Sequence, residues 1–271
     1  MKLFSNGQFL DADQPLFDAA NRSFRYGEGL FETIKVLNAA PLLWPLHLER
    51  LEQGLQVLQI HTPSEFFSIM VAALKELCAY NGCSAAARAR LAVYRKADDT
   101  LGYVLEATPL APDAFRFNET GWNLALCTDV RKQQDALSNL KTANYLTYLM
   151  AARFAAQKGV DEALVLNGEN GICDGSRTNI FMVKGNRLYT PALREGCIAG
   201  VMRRYLLENA RRMDLAVVET GIDLKDLLQA DEIFMTNAIQ GIRWVQYFEG
   251  REYGNDLSRQ LYSHLLATIY S

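Results

Sequence analysis

The sequence predicts a mixed α/β chain folded as two domains, and three observations carry that prediction. Strand-like alternation and helix-like apolar stripes succeed each other along the chain. The 271 residues are enough for one large domain or two moderate ones. The turn-rich segment at residues 108–120, with Pro109 and Pro112, reads as a linker. We therefore expect a small N-terminal α/β domain over residues 1–115 and a larger C-terminal domain over 116–271.

Composition narrows the function. Hydrophobic residues make up 49% and charged residues 22%, the balance of a soluble globular protein. A net charge of −3 argues against a nucleic-acid or anionic-membrane surface. The N-terminus lacks a signal-peptide apolar core, and no apolar run reaches spanning length. The five cysteines are odd in number and lie in apolar contexts, which fits reduced, buried thiols in a cytoplasmic protein. The three histidines, His47, His61 and His264, are far apart, so no metal site is expected.

The elements follow in order. Residues 2 to 10 form a short hairpin around Asn6-Gly7, and a polar stretch then runs from Asp11 to Arg22. The segment from Phe24 to Val36 starts with glycines and becomes a strand. Phe31, Thr33 and Lys35 face one side, and Glu32, Ile34 and Val36 the other. Gly27 and Gly29 point to close backbone approach at its start. Pro45 to Ile60 is a helix with Leu48, Leu51, Leu55 and Leu58 as its apolar stripe. A second helix runs from about Ser64 to Tyr80 and stops at Asn81-Gly82. Ala89 to Tyr94 and Tyr103 to Ala107 are strands, with Arg95 at the end of the first.

In the second half, Trp122 to Thr128 is a strand. A polar loop from Arg131 to Ser138 leads to Lys141, at the start of a helix from about Asn144 to Lys158. Strands follow at Glu162 to Leu166, Thr178 to Val183 and Arg187 to Thr190. The glycine-rich loop Asn167 to Arg177 holds Asp174. A helix opens around Gly200 and runs to about Met213. Strands at Glu232 to Thr236 and Ile242 to Tyr247, and a helix from about Asn255 to Tyr270, complete the chain.

Four features together suggest chemistry. A lysine leaving solvent for a pocket can attack a carbonyl and form a Schiff base. A helix opening at Gly200 offers backbone N–H groups and a positive dipole end to a phosphate. Arg50 is either a surface ion pair or a planar fork for the same phosphate. Asp174 is either turn chemistry or a lone carboxylate. Lysine, phosphate site, arginine and carboxylate are the parts that pyridoxal phosphate requires.

With these residues in view, the chain resembles the fold-type IV pyridoxal-phosphate enzymes, the class-IV aminotransferase family. The resemblance covers nearly the whole chain. It rests on Asn21-Arg22-Ser23-Phe24-Arg25-Tyr26-Gly27-Glu28-Gly29-Leu30-Phe31-Glu32-Thr33, His47-Leu48-Glu49-Arg50-Leu51 and Lys141-Thr142-Ala143-Asn144. It continues in Asp161 to Leu166, Asp174-Gly175-Ser176-Arg177-Thr178-Asn179-Ile180-Phe181, Gly200-Val201-Met202-Arg203 and Ala230 to Ala238. It implies a D-amino-acid-aminotransferase-like fold with the cofactor between two domains, in a homodimer whose chains lend residues to each other's sites.

By the same resemblance, Lys141 is the Schiff-base lysine and moves the substrate proton. Arg50 and the backbone N–H groups of Val201 and Met202 hold the phosphate, with more contacts from the turn at Asn237 and Ala238. Asp174 holds the pyridine nitrogen, Tyr145 meets the phenolic oxygen, and Arg95 and Tyr26 belong to the substrate site. The family usually has glutamate where this chain has Asp174, one methylene shorter. Thr33 matches a proposed proton donor of the aminodeoxychorismate lyases, which serve folate biosynthesis, and Gly200 to Arg203 and Thr236 to Ala238 are also lyase-like. The alternatives are a branched-chain or D-amino-acid aminotransferase, or an inactive pyridoxal-phosphate-binding protein.

Overall fold

Asn6 and Gly7, at φ of 47° and 89°, close the first hairpin, between β1 (Lys2–Ser5) and β2 (Gln8–Asp11). The computed structural model describes residues 1–111, 114, 116–213 and 215–270. Part of the expected linker, residues 112, 113 and 115, lies outside the described residues. The chain divides into two compact units. Unit 1 holds Met1–Ala114 and Leu140–Asn144; unit 2 holds Phe115–Asn139 and Tyr145–Ser271. The lysine segment, expected in the larger C-terminal domain, thus packs with unit 1.

In unit 1 the hairpin is followed by α1 (Arg22–Tyr26), β3 (Gly29–Leu37), β4 (Ala40–Pro41), α2 (Trp44–Val57), α3 (Phe66–Tyr80), β5 (Ala86–Arg95) and β6 (Leu101–Pro109). The six strands make one antiparallel sheet in the order β2-β1-β6-β5-β3-β4. Helix α1 replaces the start of the expected strand. The Asn21 side chain accepts from Phe24 N–H at 2.9 Å, and Gly27 ends the turn at φ 69°. The core lies where Ile34, Leu91 and Leu105 of the sheet meet Leu55 of α2 and Met70, Leu74 and Leu77 of α3. Each such fully buried side chain contributes roughly 1.5–3 kcal/mol.

The alternation on β3 holds only in part. Glu32, Ile34 and Val36 of one face are all buried, Glu32 as a charged residue among them, but Lys35 on the opposite face is buried too. Lys35 donates to Ala114 O at 2.6 Å.

Unit 2 begins with β7 (Trp122–Lys132). Next come α4 (Leu146–Lys158), β8 (Glu162–Asn167), β9 (Ile172–Gly175), β10 (Asn179–Lys184), β11 (Arg187–Pro191), α5 (Val201–Arg212), β12 (Ala216–Thr220) and α6 (Leu224–Leu228). It ends with β13 (Glu232–Asn237), β14 (Gly241–Phe248), β15 (Arg251–Glu252) and α7 (Asp256–Leu261), which continues through a π turn, Tyr262–Leu266, into α8 (Ala267–Tyr270). Its sheet runs β12-β11-β10-β13-β14-β7-β8-β9, with β15 against β14. The β11–β12, β14–β7 and β7–β8 pairs are parallel and the rest antiparallel.

Three details differ from expectation. Lys141 lies five residues ahead of α4, in extended chain. Asp174 sits on β9, inside the stretch read as a loop. The short β12 and α6 were not expected at all. Helix α4 packs its Tyr148, Ala151 and Ala155 over Ala163, Val165 and Cys173, which brings a tyrosine down onto β9.

Candidate active site

The start of β3 holds the lysine. Phe31 N–H donates to Lys141 O at 3.0 Å, and Ala143 N–H to Gly29 O at 2.8 Å, so residues 141–143 pair with the strand. This explains the two glycines. A Cβ on Gly29 would lie 2.6 Å from Val93 O, and one on Gly27 would lie 3.2 Å from Asn144 Cβ. The Lys141 ammonium lies 4.6 Å from the centre of the Phe31 ring, over which Arg90 also stands at 5.0 Å. Lys141 lines a pocket with Leu30, Phe31, Glu32, Arg50, Leu51 and Gly54.

Helix α2 sets the opposite wall. Gly54 lets it approach β3, since a Cβ there would sit 2.6 Å from Leu30 Cδ1. Arg50 donates through Nε and Nη2 to the two oxygens of Glu32, at 2.8 and 2.5 Å. His47 Nδ1 meets Glu32 Oε2 at 2.6 Å. Burial alone would raise the Glu32 carboxyl, but Arg50 and His47 more than reverse that and hold it at about 2. Burial also lowers the His47 imidazole, so at neutral pH it is the uncharged donor of this pair. Its Nε2 is buried with no hydrogen-bond partner among the described residues. Glu32 and His47 are site residues that the sequence reading missed. Glu32's place on the inward face of a strand, one helix away from an arginine, was the available signal.

Thr33 is partly buried, two residues beyond Phe31 on the same face of β3, with Arg90 as its cross-strand neighbour. Arg95 and Tyr26 lie outside the pocket lining. Arg95 ends β5, donating to Glu28 Oε1 at 2.7 Å and to Leu58 O at 2.6 Å. Tyr26 is 66% exposed, with the Arg22 guanidinium over its ring.

Unit 2 gathers a second group of residues around Asp174. This fully buried carboxylate accepts three hydrogen bonds. Asn179 Nδ2 donates to Oδ1 at 2.8 Å, and the Tyr148 hydroxyl and Ile198 N–H donate to Oδ2 at 2.7 and 2.9 Å. Burial nevertheless pushes its pKa up to about 6, against the pull of those donors and of Lys132. Tyr145 precedes α4 and stacks on Tyr148 with ring centres 4.6 Å apart. Gly200 lies next to this cluster, because a Cβ there would fall 1.8 Å from Asn179 Oδ1. The backbone then turns into α5 at Val201 and Met202, both buried. The Asn237 side chain accepts from the N–H groups of Ile239 and Gln240 and so closes the Asn237–Gln240 turn, with Ala238 inside it. Just before it, Thr236 Oγ1 is buried with no hydrogen-bond partner among the described residues.

These residues fit an anionic aldehyde cofactor. A helix N-terminus and an unpartnered buried hydroxyl suit a phosphate. In unit 2 a buried carboxylate also suits a protonated ring nitrogen, and within unit 1 a lysine and an arginine share one pocket.

Known proteins point the same way. The profile of the family described as amino-transferase class IV matches residues 29–247. An aminodeoxychorismate lyase from Bacillus subtilis is 28% identical over 93% of this chain and 88% of its own length. The crystal structure of the 4-amino-4-deoxychorismate lyase from Pseudomonas aeruginosa superposes with a TM-score of 0.85, at 25% identity, over 99% of this chain and 100% of that one. The branched-chain amino acid aminotransferase of Escherichia coli shares the fold, with a TM-score of 0.88 at 19% identity over 99% of this chain and 94% of that one.

Proposed function

The chain belongs to the class IV aminotransferase family, whose enzymes use pyridoxal phosphate, and from that premise we propose that it is a 4-amino-4-deoxychorismate lyase, forming p-aminobenzoate and pyruvate. The observation that carries the choice of reaction is Thr33. Its hydroxyl stands on the face of β3 that presents Phe31 to the Lys141 amine. A departing enolpyruvyl group needs a proton, and transamination has no such leaving group.

Pyridoxal phosphate, when bound, supplies an electron sink for the charge developing at the substrate carbon. The chain's own residues do the rest. Lys141 Nζ would hold the cofactor, and its amine would carry the proton from the substrate carbon. Arg50, fixed by Glu32, would be one holder of the phosphate, and the N–H groups of Val201 and Met202 with the turn at Asn237 and Ala238 would be the others. Asp174 would keep a proton on the ring nitrogen, and Tyr145 would be the partner of the phenolic oxygen. The Thr33 hydroxyl delivers its proton to the leaving oxygen.

The working form in this proposal is a homodimer. Arg95 and Tyr26, which do not line the Lys141 pocket, would complete the partner copy's substrate site. Phe24, Leu146 and Leu149, at 79%, 63% and 52% exposure, are apolar side chains for a partner to cover. Light scattering of the purified protein reads this directly. Five unpaired, buried cysteines support a cytoplasmic setting.

The deciding experiment offers the purified protein aminodeoxychorismate. Separately, it offers L- and D-amino acids with 2-oxoglutarate or pyruvate. p-Aminobenzoate is the expected product. A new keto acid without p-aminobenzoate replaces the lyase by an aminotransferase.

A further inference from the structure

Asp174 stands where the family usually has the longer glutamate, and its surroundings contain a feature tied to that difference. A carboxylate has about four lone-pair sites. Among the described residues three at Asp174 are taken, by Asn179, Ile198 N–H and Tyr148, which leaves one on Oδ1 for a further donor. Two of the three donors belong to the surrounding framework. Ile198 gives its backbone, and Asn179 is itself tied to Ile198 O at 2.9 Å. Tyr148 is different. It reaches β9 from α4, is 3% exposed, and fills the space beside Oδ2 with its hydroxyl. The same ring stacks on Tyr145 and lies 4.9 Å from the Lys132 ammonium.

We propose that Tyr148 is a positioning residue that makes up for the methylene Asp174 lacks, its hydroxyl pinning Oδ2 so that Oδ1 is presented to the cofactor's ring nitrogen. This rests on the reading of Asp174 as the carboxylate for that nitrogen. The other groups facing Asp174 are the Cys173 and Cys197 thiols, both kept neutral by burial, and Lys132. Neither thiol donates to the carboxylate: Cys173 bonds to Val165 O, and Cys197 to Pro191 O and Ala192 O. Tyr148 is itself held protonated by burial and by the charge of Asp174, so it acts as a donor at neutral pH.

The size relation makes the proposal testable by exchange. Asp174→Glu alone pushes a methylene into the Tyr148 hydroxyl, and Tyr148→Phe alone removes the pin. The two together restore the volume. Titrating each full-length protein with pyridoxal 5'-phosphate should show each single variant weakened by about tenfold, with the double variant within about threefold of wild type. In the cofactor-free chain, carbon NMR of the Asp174 carboxyl should show Tyr148→Phe titrating at higher pH than wild type, because a donor to the charged form is gone. Additive losses in the cycle, or an unmoved carboxyl titration, overturn the role of Tyr148 even if the wild-type chain binds cofactor. A wild-type chain that takes up no pyridoxal 5'-phosphate overturns the underlying reading and this inference with it.

Discussion

Replacing Asp174 by asparagine should make the cofactor-free protein more stable and the enzyme inactive. Burial raises this carboxyl from its ordinary 3.8 to about 6. Two pK units correspond to roughly 3 kcal/mol. The sign follows from proton binding. Below about pH 4 the group is protonated in both folded and unfolded chains and contributes nothing. Between about 4 and 6 the folded chain binds the proton more tightly, so stability falls as pH rises. Above about 6 the full penalty of a buried charge is present.

Asparagine carries no charge, so its stability curve lacks that fall. Its amide can offer oxygen to Tyr148 and Ile198 N–H, but then sets an N–H group against the Asn179 amide. That loss of about 1 kcal/mol is independent of pH. Urea unfolding of both proteins from pH 4 to 7.5 gives the difference curve. It should rise by roughly 3 kcal/mol in favour of Asp174→Asn, while turnover drops and cofactor stays bound. Parallel stability curves, or full activity in Asp174→Asn, refute the reasoning.

Four further outcomes are expected. Lys141→Ala should abolish turnover, and borohydride should no longer fix cofactor to the chain, as read by mass spectrometry. Arg50→Ala should weaken pyridoxal phosphate binding by about tenfold or more but leave affinity for pyridoxal, which lacks the phosphate, much less changed. It also deprives the buried Glu32 of its main partner and should lower stability by about 3–5 kcal/mol in denaturant. Thr33→Val should lower p-aminobenzoate formation while any amino-acid half-reaction continues. Gly200→Ala must displace Asn179, which ties Asp174 to Ile198, and should cost about 1–3 kcal/mol and reduce cofactor affinity together.

Where sequence periodicity reports burial on one face, the reading held. The apolar spacing of α2 placed Leu51 and Leu55 in the core, and the Asn6-Gly7 turn placed the first hairpin. It failed where elements are short or buried on both sides. Helix α1 is five residues held by one cap, and β9 is four residues among glycines, so neither shows a period. The burial of Lys35 breaks the alternation of β3, and Glu32 puts a charge on its buried face, each for a reason outside the strand. Arg50 and His47 descend on Glu32 from α2, and Ala114 O meets Lys35. The candidate lysine, arginine and carboxylate were legible as residue types. The partners Tyr148 and Glu32 were not, because a contact across 26 or 18 positions leaves no local pattern.

The assignment of Leu140–Asn144 to unit 1 governs how the chain can be made. Strand β3 receives its partner at Thr142 from a segment that follows twenty-five residues of unit 2, Phe115–Asn139. On the ribosome, unit 1 cannot finish until residue 144 has emerged, long after its own sheet is synthesised. A gene cut at the linker would therefore yield two incomplete halves. One would have a strand start lacking the backbone that satisfies Phe31 N–H and Gly29 O; the other would carry the lysine on an internal segment between β7 and α4 that has lost its strand partner. Mixing those halves, rather than expressing either alone, is the way to recover the folded chain.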